Sequence, residues 1–201
     1  MEHRAFTDEV PFSARRRSGG RLGRHGLFWL GGGVSAALVV VLIWFLFLPA
    51  GTAGSTLLPV GHPAPAFTLP DSSGHATSLS QYRGHPLILN FWATFCEPCR
   101  TETPLLQRTV QTYQHQGFTI LGIDQGEPND AIRAFGTAYG LTYPLLADSQ
   151  LQVNRQYGVT ALPATYFIDA TGVVRATSNG ILTPSSLASG LHTIGIAPPD
   201  A

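Results

Sequence analysis

Two textures of hydrophobicity divide this chain, and they predict different structures. From Leu27 to Leu48 the residues LFWLGGGVSAALVVVLIWFLFL include no charged side chain. At about 1.5 Å per residue such a run reaches roughly 33 Å as a helix, enough to cross a hydrocarbon core of ~30 Å. A secretory h-region is shorter, about 7–15 residues, so the pattern predicts an uncleaved transmembrane anchor over 27–48. A cleaved signal is the alternative, because the small residues PAGTAGS follow. Gly32, Gly33, Ala36 and Ala37 recur at four-residue spacing, a weak signal for helix pairing in a membrane.

From Gly61 onward the apolar runs are short and turn residues punctuate them. PLILNFWA (86–93) and FTILGID (118–124) are near-continuous apolar runs, the pattern of strands buried on both faces. Between them, CEPCRTETPLLQRTVQTYQHQG has helical spacing, with Leu105, Leu106, Thr109, Val110 and Tyr113 on one side. Gly117 is its stop signal, and Pro104 predicts a kink. PNDAIRAFGTAYG predicts a second helix starting near Asn129 or Asp130, TYPLLAD a short strand, and SQLQVNRQYG a third helix closed by Gly158. ATYFID (164–169) and VVRATS (173–178), joined by ATG, predict a hairpin. A last helix follows, with Thr183 as its cap and Pro184 at its first position. Upstream, AFTLPDSSGHATSLSQYRG predicts an N-terminal hairpin turning at Asp71–Gly74. Strands alternating with helices, then a hairpin and a helix, predict an α/β domain with a central mixed sheet flanked by helices.

Charge refines the layout. The basic residues are all arginine. Arg4, Arg15, Arg16, Arg17, Arg21 and Arg24 precede the long apolar run, and none follows it until Arg83. The positive-inside rule then places a basic tail (1–26) in the cytoplasm, the anchor at 27–48, a linker at 49–60 and the domain at 61–201 outside the cytoplasm. The RRR run is a loose match to a twin-arginine export signal. The domain itself carries more acids than arginines, which excludes the basic face a nucleic-acid partner needs. The expected lipid contact is through residues 27–48.

Cys96 and Cys99 are the only cysteines, and on this layout they lie in an oxidising compartment. A disulfide between them would close a loop of about four residues and stabilise by roughly 2 kcal/mol before strain, little for a structural staple. A structural zinc site wants four ligands, and the histidines form no second pair at ligand spacing. Two thiolates do suit Cu(I), so copper handling stays open as an alternative. A redox couple fits the position best. The pair follows a buried strand and opens a helix, where free N–H groups and the macrodipole favour a thiolate. Cys96 is then the accessible nucleophile. Cys99, one turn on, faces inward and resolves mixed disulfides. Pro98 sits early in the helix, where its missing N–H is least costly.

The segment LILNFWATFCEPCRTETP resembles the active site of thioredoxin-like proteins, in particular the membrane-anchored thiol–disulfide oxidoreductases of the TlpA/ResA group, a branch related to AhpC/TSA. VGHPAPAFTLPDSSGHATSLSQYRGHPLILNFWA resembles that group's N-terminal extension, and GVTALPATYFIDATGVV its second signature. The resemblance implies a thioredoxin-like fold with an N-terminal hairpin extension and a βα insertion, preceded by one transmembrane helix. It implies a cis peptide at Leu162–Pro163 facing the cysteines; read alone, Pro163 is an ordinary loop proline before a strand. It also implies a reductant of client-protein disulfides, such as apocytochrome c or copper-site assembly factors, fed by a membrane thiol-reducing donor. No cofactor is implied beyond the Cys96–Cys99 disulfide.

Two residues depart from the pattern. Phe95 stands where the group usually has Trp beside the first cysteine, which bears on partner docking. Asn90, two residues before Trp92, stands where many thioredoxins have a proton-relaying Asp. In the resembling group a Glu three residues after the second cysteine serves instead, here Glu102. Glu97, inside the motif, is a candidate for tuning Cys96; the bland reading of both is a first-turn acid complementing the helix dipole. A peroxiredoxin is disfavoured, because its Thr belongs three residues before the reactive cysteine and Thr94 is two before Cys96.

Overall fold

The computed structural model describes residues 38–44 and 57–197. It divides into two units, 1–52 and 53–201, each considered by itself. In the first, residues 38–44 are helical and exposed. Among the described residues no helix is long and apolar enough to cross a membrane. The tail at 1–26 and the remainder of the expected span lie outside the described residues.

The second unit is built on a five-stranded sheet. Its strands are β3 (Leu87–Trp92), β4 (Thr119–Asp124), β5 (Leu145–Ala147), β6 (Ala164–Ile168) and β7 (Val174–Asn179), in the order β5-β4-β3-β6-β7. β3, β4 and β5 run parallel; β6 and β7 are antiparallel additions, so the sheet is mixed. β1 (Thr68–Pro70) and β2 (Ala76–Ser78) form a separate hairpin. Asp71 shapes its turn, accepting hydrogen bonds from the Ser73 and His75 amides, with Gly74 at φ 88°. The hairpin rests on the β5 edge, where the Ser72 amide donates to the Leu145 carbonyl.

The helices are α1 (Glu97–Tyr113), α2 (Asn129–Ala138), α3 (Gln152–Gln156) and α4 (Pro184–Thr193). Every residue of β3 is buried, and alternate side chains enter two core clusters. Ile88 and Trp92 join Leu106 of α1, Ile132 and Phe135 of α2, and Leu187 and Leu191 of α4. Leu87, Leu89 and Phe91 join Phe67, Val153, Tyr157 and Tyr166. Each fully buried aliphatic or aromatic side chain stabilises by about 1.5–3 kcal/mol relative to exposure, so the central strand is the anchor of the fold. Leu57 and Leu58, in the stretch read as linker, pack against the second cluster, and the Leu58 amide donates to the Tyr157 carbonyl at 3.1 Å.

Local chemistry moves several expected boundaries. The helix expected over 149–158 is α helix only over Gln152–Gln156. Leu151 lies in the left-handed region at φ 55°, and Asp148 instead accepts from the Gln152 and Asn154 amides. α1 runs uninterrupted through Pro104 and ends at Tyr113, where a 3-10 turn (Gln114–Gln116) carries the chain to left-handed Gly117. Thr183 caps α4 as expected, accepting from the Ser186 amide, with Pro184 first in the helix.

Candidate active site

The parallel pairing of β3 with β4 and the antiparallel pairing with β6 bring three chain segments to one end of the sheet. The C-terminus of β3 delivers Trp92 to the loop before Cys96. Asp124 is Trp92's register partner at the C-terminus of β4. Ala164 opens β6 opposite Phe91, so Pro163 and Leu162 arrive at this same end. The carboxyl ends of parallel strands are where α/β sheets characteristically carry their sites.

Cys96 and Cys99 form a disulfide with their Cα atoms 5.2 Å apart. Cys96 is the N-cap of α1, and its Sγ accepts from the Cys99 amide at 3.3 Å. That amide is one of the donors a helix start leaves free, so on reduction it and the helix dipole favour a thiolate at Cys96. Cys96 is 8% exposed and Cys99 only 1%. Access therefore differs in the direction a nucleophile and a resolving thiol require. Pro98 is exposed in the first turn. Glu97 is also exposed, with its carboxylate 3.8 Å from Arg100 Nε, a surface pair worth little.

Glu102 is the buried acid behind the pair, 2% exposed on α1. One carboxylate oxygen accepts from Asn90 Nδ2 and the other from the Leu182 amide, both at 2.8 Å. Asn90 Nδ2 also donates to Thr165 Oγ1 at 3.1 Å. Burial raises the Glu102 pKa, and the two hydrogen bonds only partly offset it. Asn90 thus does not titrate but orients a group that does.

The Leu162–Pro163 peptide is cis, and Pro163 is buried. Its carbonyl accepts from the Gly180 amide. Among the described residues, the backbone groups of Thr160, Ala161 and Leu162 make no hydrogen bond. An extended peptide pairs with backbone groups of this kind. Phe95, beside Cys96, is 71% exposed, whereas Trp92 is buried against Phe135 with ring centroids 4.6 Å apart. Among the described residues no cluster of three or more metal-ligating side chains occurs.

Sequence reasoning missed two acids at this end of the sheet. Glu127 accepts from the Thr94 amide and from Thr94 Oγ1, both at 2.5 Å. The fully buried Asp124 accepts from the Glu127 amide at 2.7 Å. Burial, reinforced by the Glu127 carboxylate, pushes the Asp124 carboxyl up to about 7. The available signal was an acid closing a buried parallel strand, with a second acid three residues on.

Residues 60–177 match the AhpC/TSA family. The thiol-disulfide oxidoreductase ResA of Geobacillus kaustophilus is 40% identical over 139 residues, covering 69% of this chain and 80% of the relative. ResA of Bacillus subtilis is 33% identical over 155 residues, covering 77% and 86%. Among solved structures, a thioredoxin-family thiol:disulfide interchange protein of Chlorobium tepidum superposes with a TM-score of 0.60 at 27% identity, covering 68% of this chain and 97% of its own.

Proposed function

This chain belongs to the AhpC/TSA family and is a thiol–disulfide oxidoreductase with a thioredoxin-like fold, and from that premise we propose that it is a membrane-tethered, extracytoplasmic reductant of client-protein disulfides. The observation that carries the redox step is the placement of Cys96 Sγ at the N-cap of α1, with Cys99 covered beneath it. The tether and its orientation rest on the uncharged run 27–48 and the arginines before it. The reductive direction rests on the likeness to the ResA proteins.

In this reading the Cys96 thiolate attacks one sulfur of a client disulfide. The client S–S bond breaks, a mixed disulfide forms, and the departing client sulfur takes up a proton. Cys99 then loses its proton and attacks Cys96 Sγ. The client leaves as a dithiol, the Cys96–Cys99 disulfide is restored, and two electrons have passed to the client. A membrane thiol-reducing donor returns them. Glu102, one turn beyond Cys99 and oriented by Asn90, is the base this reading assigns to Cys99. Leu162 and Pro163 hold the client's backbone and Phe95 its surface. A client such as apocytochrome c, whose haem-binding thiols must be free, fits this chemistry.

Trapping tests the proposal. Cys99→Ser is expected to accumulate a mixed disulfide between Cys96 and a client, identified by mass, while Cys96→Ser accumulates none. The reverse pattern would overturn the assignment of the nucleophile. A reduction potential near about −270 mV supports a reductant, and one near about −120 mV excludes it. Stoichiometric Cu(I) binding with no client reduction would favour the copper-handling alternative.

A further inference from the structure

The loop that presents Cys96 is held from behind by acids that the exchange chemistry does not use. Both oxygens of the Glu127 carboxylate accept from Thr94, one from its amide and one from its hydroxyl. Thr94 lies two residues before Cys96, and the Cys96 amide donates to the Ala93 carbonyl at 3.2 Å, so the residues between are tied down as well. Glu127 is fixed in turn. Its amide donates to Asp124 Oδ1, and the neighbouring Gln125 amide donates to the Trp92 carbonyl at 2.9 Å. The grip therefore closes a ring through the ends of β3 and β4.

Asp124 has no solvent exposure, and its Oδ2 has no hydrogen-bond donor among the described residues. A buried carboxylate with an unsatisfied oxygen is costly, whereas a protonated carboxyl turns that group into a donor. The acceptor at hand is the Glu127 carboxylate, within hydrogen-bonding reach of the Asp124 carboxyl. Among the described residues no basic side chain forms an ion pair with either acid. Asp148 of the β5–α3 loop is a further titratable neighbour, whose amide donates to the Asp124 carbonyl while its side chain is engaged in capping α3. From the β3–α1 loop Thr94 meets the pair through Glu127. A protonated Asp124 beside the Glu127 carboxylate is stable; the same two groups both ionised repel.

We propose that Glu127 is a positioning residue for the exchange reaction, and that the protonation of Asp124 beneath it sets how firmly it holds Thr94 and thereby the Cys96 loop. With the proton in place the clamp is closed. When it leaves, the second negative charge loosens the ring at Thr94. Cys96 reactivity thus carries two pH-dependent steps, its own ionisation and that of Asp124. This inference rests on Cys96 being the nucleophile of the reaction proposed above.

The test is the rate of Cys96 alkylation by iodoacetamide against pH, on the reduced full-length chain in detergent, with the modified cysteine identified by mass. The wild-type profile is expected to show two inflections, one of them near neutrality and roughly threefold or more in rate. Asp124→Asn is expected to remove the inflection near neutrality. Thr94→Val, which loses one of the two bonds to Glu127, is expected to shift the profile, and Thr94→Ser to restore it. Alkylation of Cys99 before Cys96 would refute the nucleophile itself. Alkylation of Cys96 with one unchanged profile in all variants would refute the clamp alone. A measurement on the unsubstituted chain decides the matter even if the variants fail to fold. A carboxyl-carbon NMR titration should show Asp124 ionising near neutrality together with a shift of the Thr94 amide. Ionisation of Asp124 in the ordinary carboxylate range, with the Thr94 amide unmoved, would overturn the proposal.

Discussion

Phe95 keeps most of its ring in solvent beside a disulfide whose sulfurs are nearly covered. A side chain so placed adds little to folding and much to a contact made only when a client arrives. Truncation of an aromatic anchor in an interface commonly costs more than about 1 kcal/mol of binding. Phe95→Ala is therefore expected to lower kcat/KM for a protein client about fivefold or more. It should leave the reduction of a small aromatic disulfide unchanged and alter stability by no more than about 0.5 kcal/mol. Parallel assays with the two substrates, and a denaturant titration, check the three parts. An equal loss with both substrates would place Phe95 in the chemistry rather than in docking. The departure from Trp at this position thus concerns the surface: a Phe lacks the indole N–H, and this one faces solvent, where such a donor would be available to a partner.

Among the elements, the joint between α4 and β6 is tight at Gly190. A Cβ built on Gly190 would lie 2.3 Å from the ring of Phe167, a side chain only 2% exposed and enclosed by the first core cluster. The ring has nowhere to move, so Gly190→Ala is expected to destabilise by about 1–3 kcal/mol, although alanine is the better helix former. Equilibrium unfolding in urea measures it; a gain in stability would mean that the helix can shift away from the sheet. Such a joint also shows where the sequence is legible. Thr183 and Pro184 mark the start of α4, because the cap and the proline are adjacent in the chain. Gly190 carries no such mark, since the ring it meets is brought there by tertiary packing. The same contrast runs through the site. Cys96, Cys99 and their helix start are legible because the strand, the pair and the helix are consecutive. Asp124 and Glu127 are not, because they reach Thr94 only through the parallel register of β3 and β4. The short α3 escapes for a third reason: Leu151 turns the chain out of helix, so α3 starts only at Gln152, where Asp148 accepts from its first-turn amides.

For the whole domain, the buried and half-buried acids pull stability in opposite directions with pH. Asp169 feels some burial, but hydrogen bonds from Thr171, Val173 and Arg175 outweigh it and hold its carboxyl at about 2. Asp71 is likewise lowered by its turn hydrogen bonds and His75. A carboxyl lowered on folding contributes stability above its unfolded pKa, which is lost as the pH falls through the folded value. Asp124 and Glu102 are raised by burial. For these the folded state binds the proton more tightly, so their contribution is full below the unfolded pKa, near 4, and is lost as the pH rises through the folded one. The two trends meet on the acidic side of neutrality. Thermal unfolding of the oxidised chain is expected to give its highest Tm at about pH 4–5, with a decline toward pH 7 that Asp124→Asn makes shallower. A Tm that rises steadily from pH 5 to 7 would show that Asp124 is ionised in the folded protein throughout. The acid pair would then be a permanent pair of charges, and the step it is proposed to add to Cys96 reactivity could not exist.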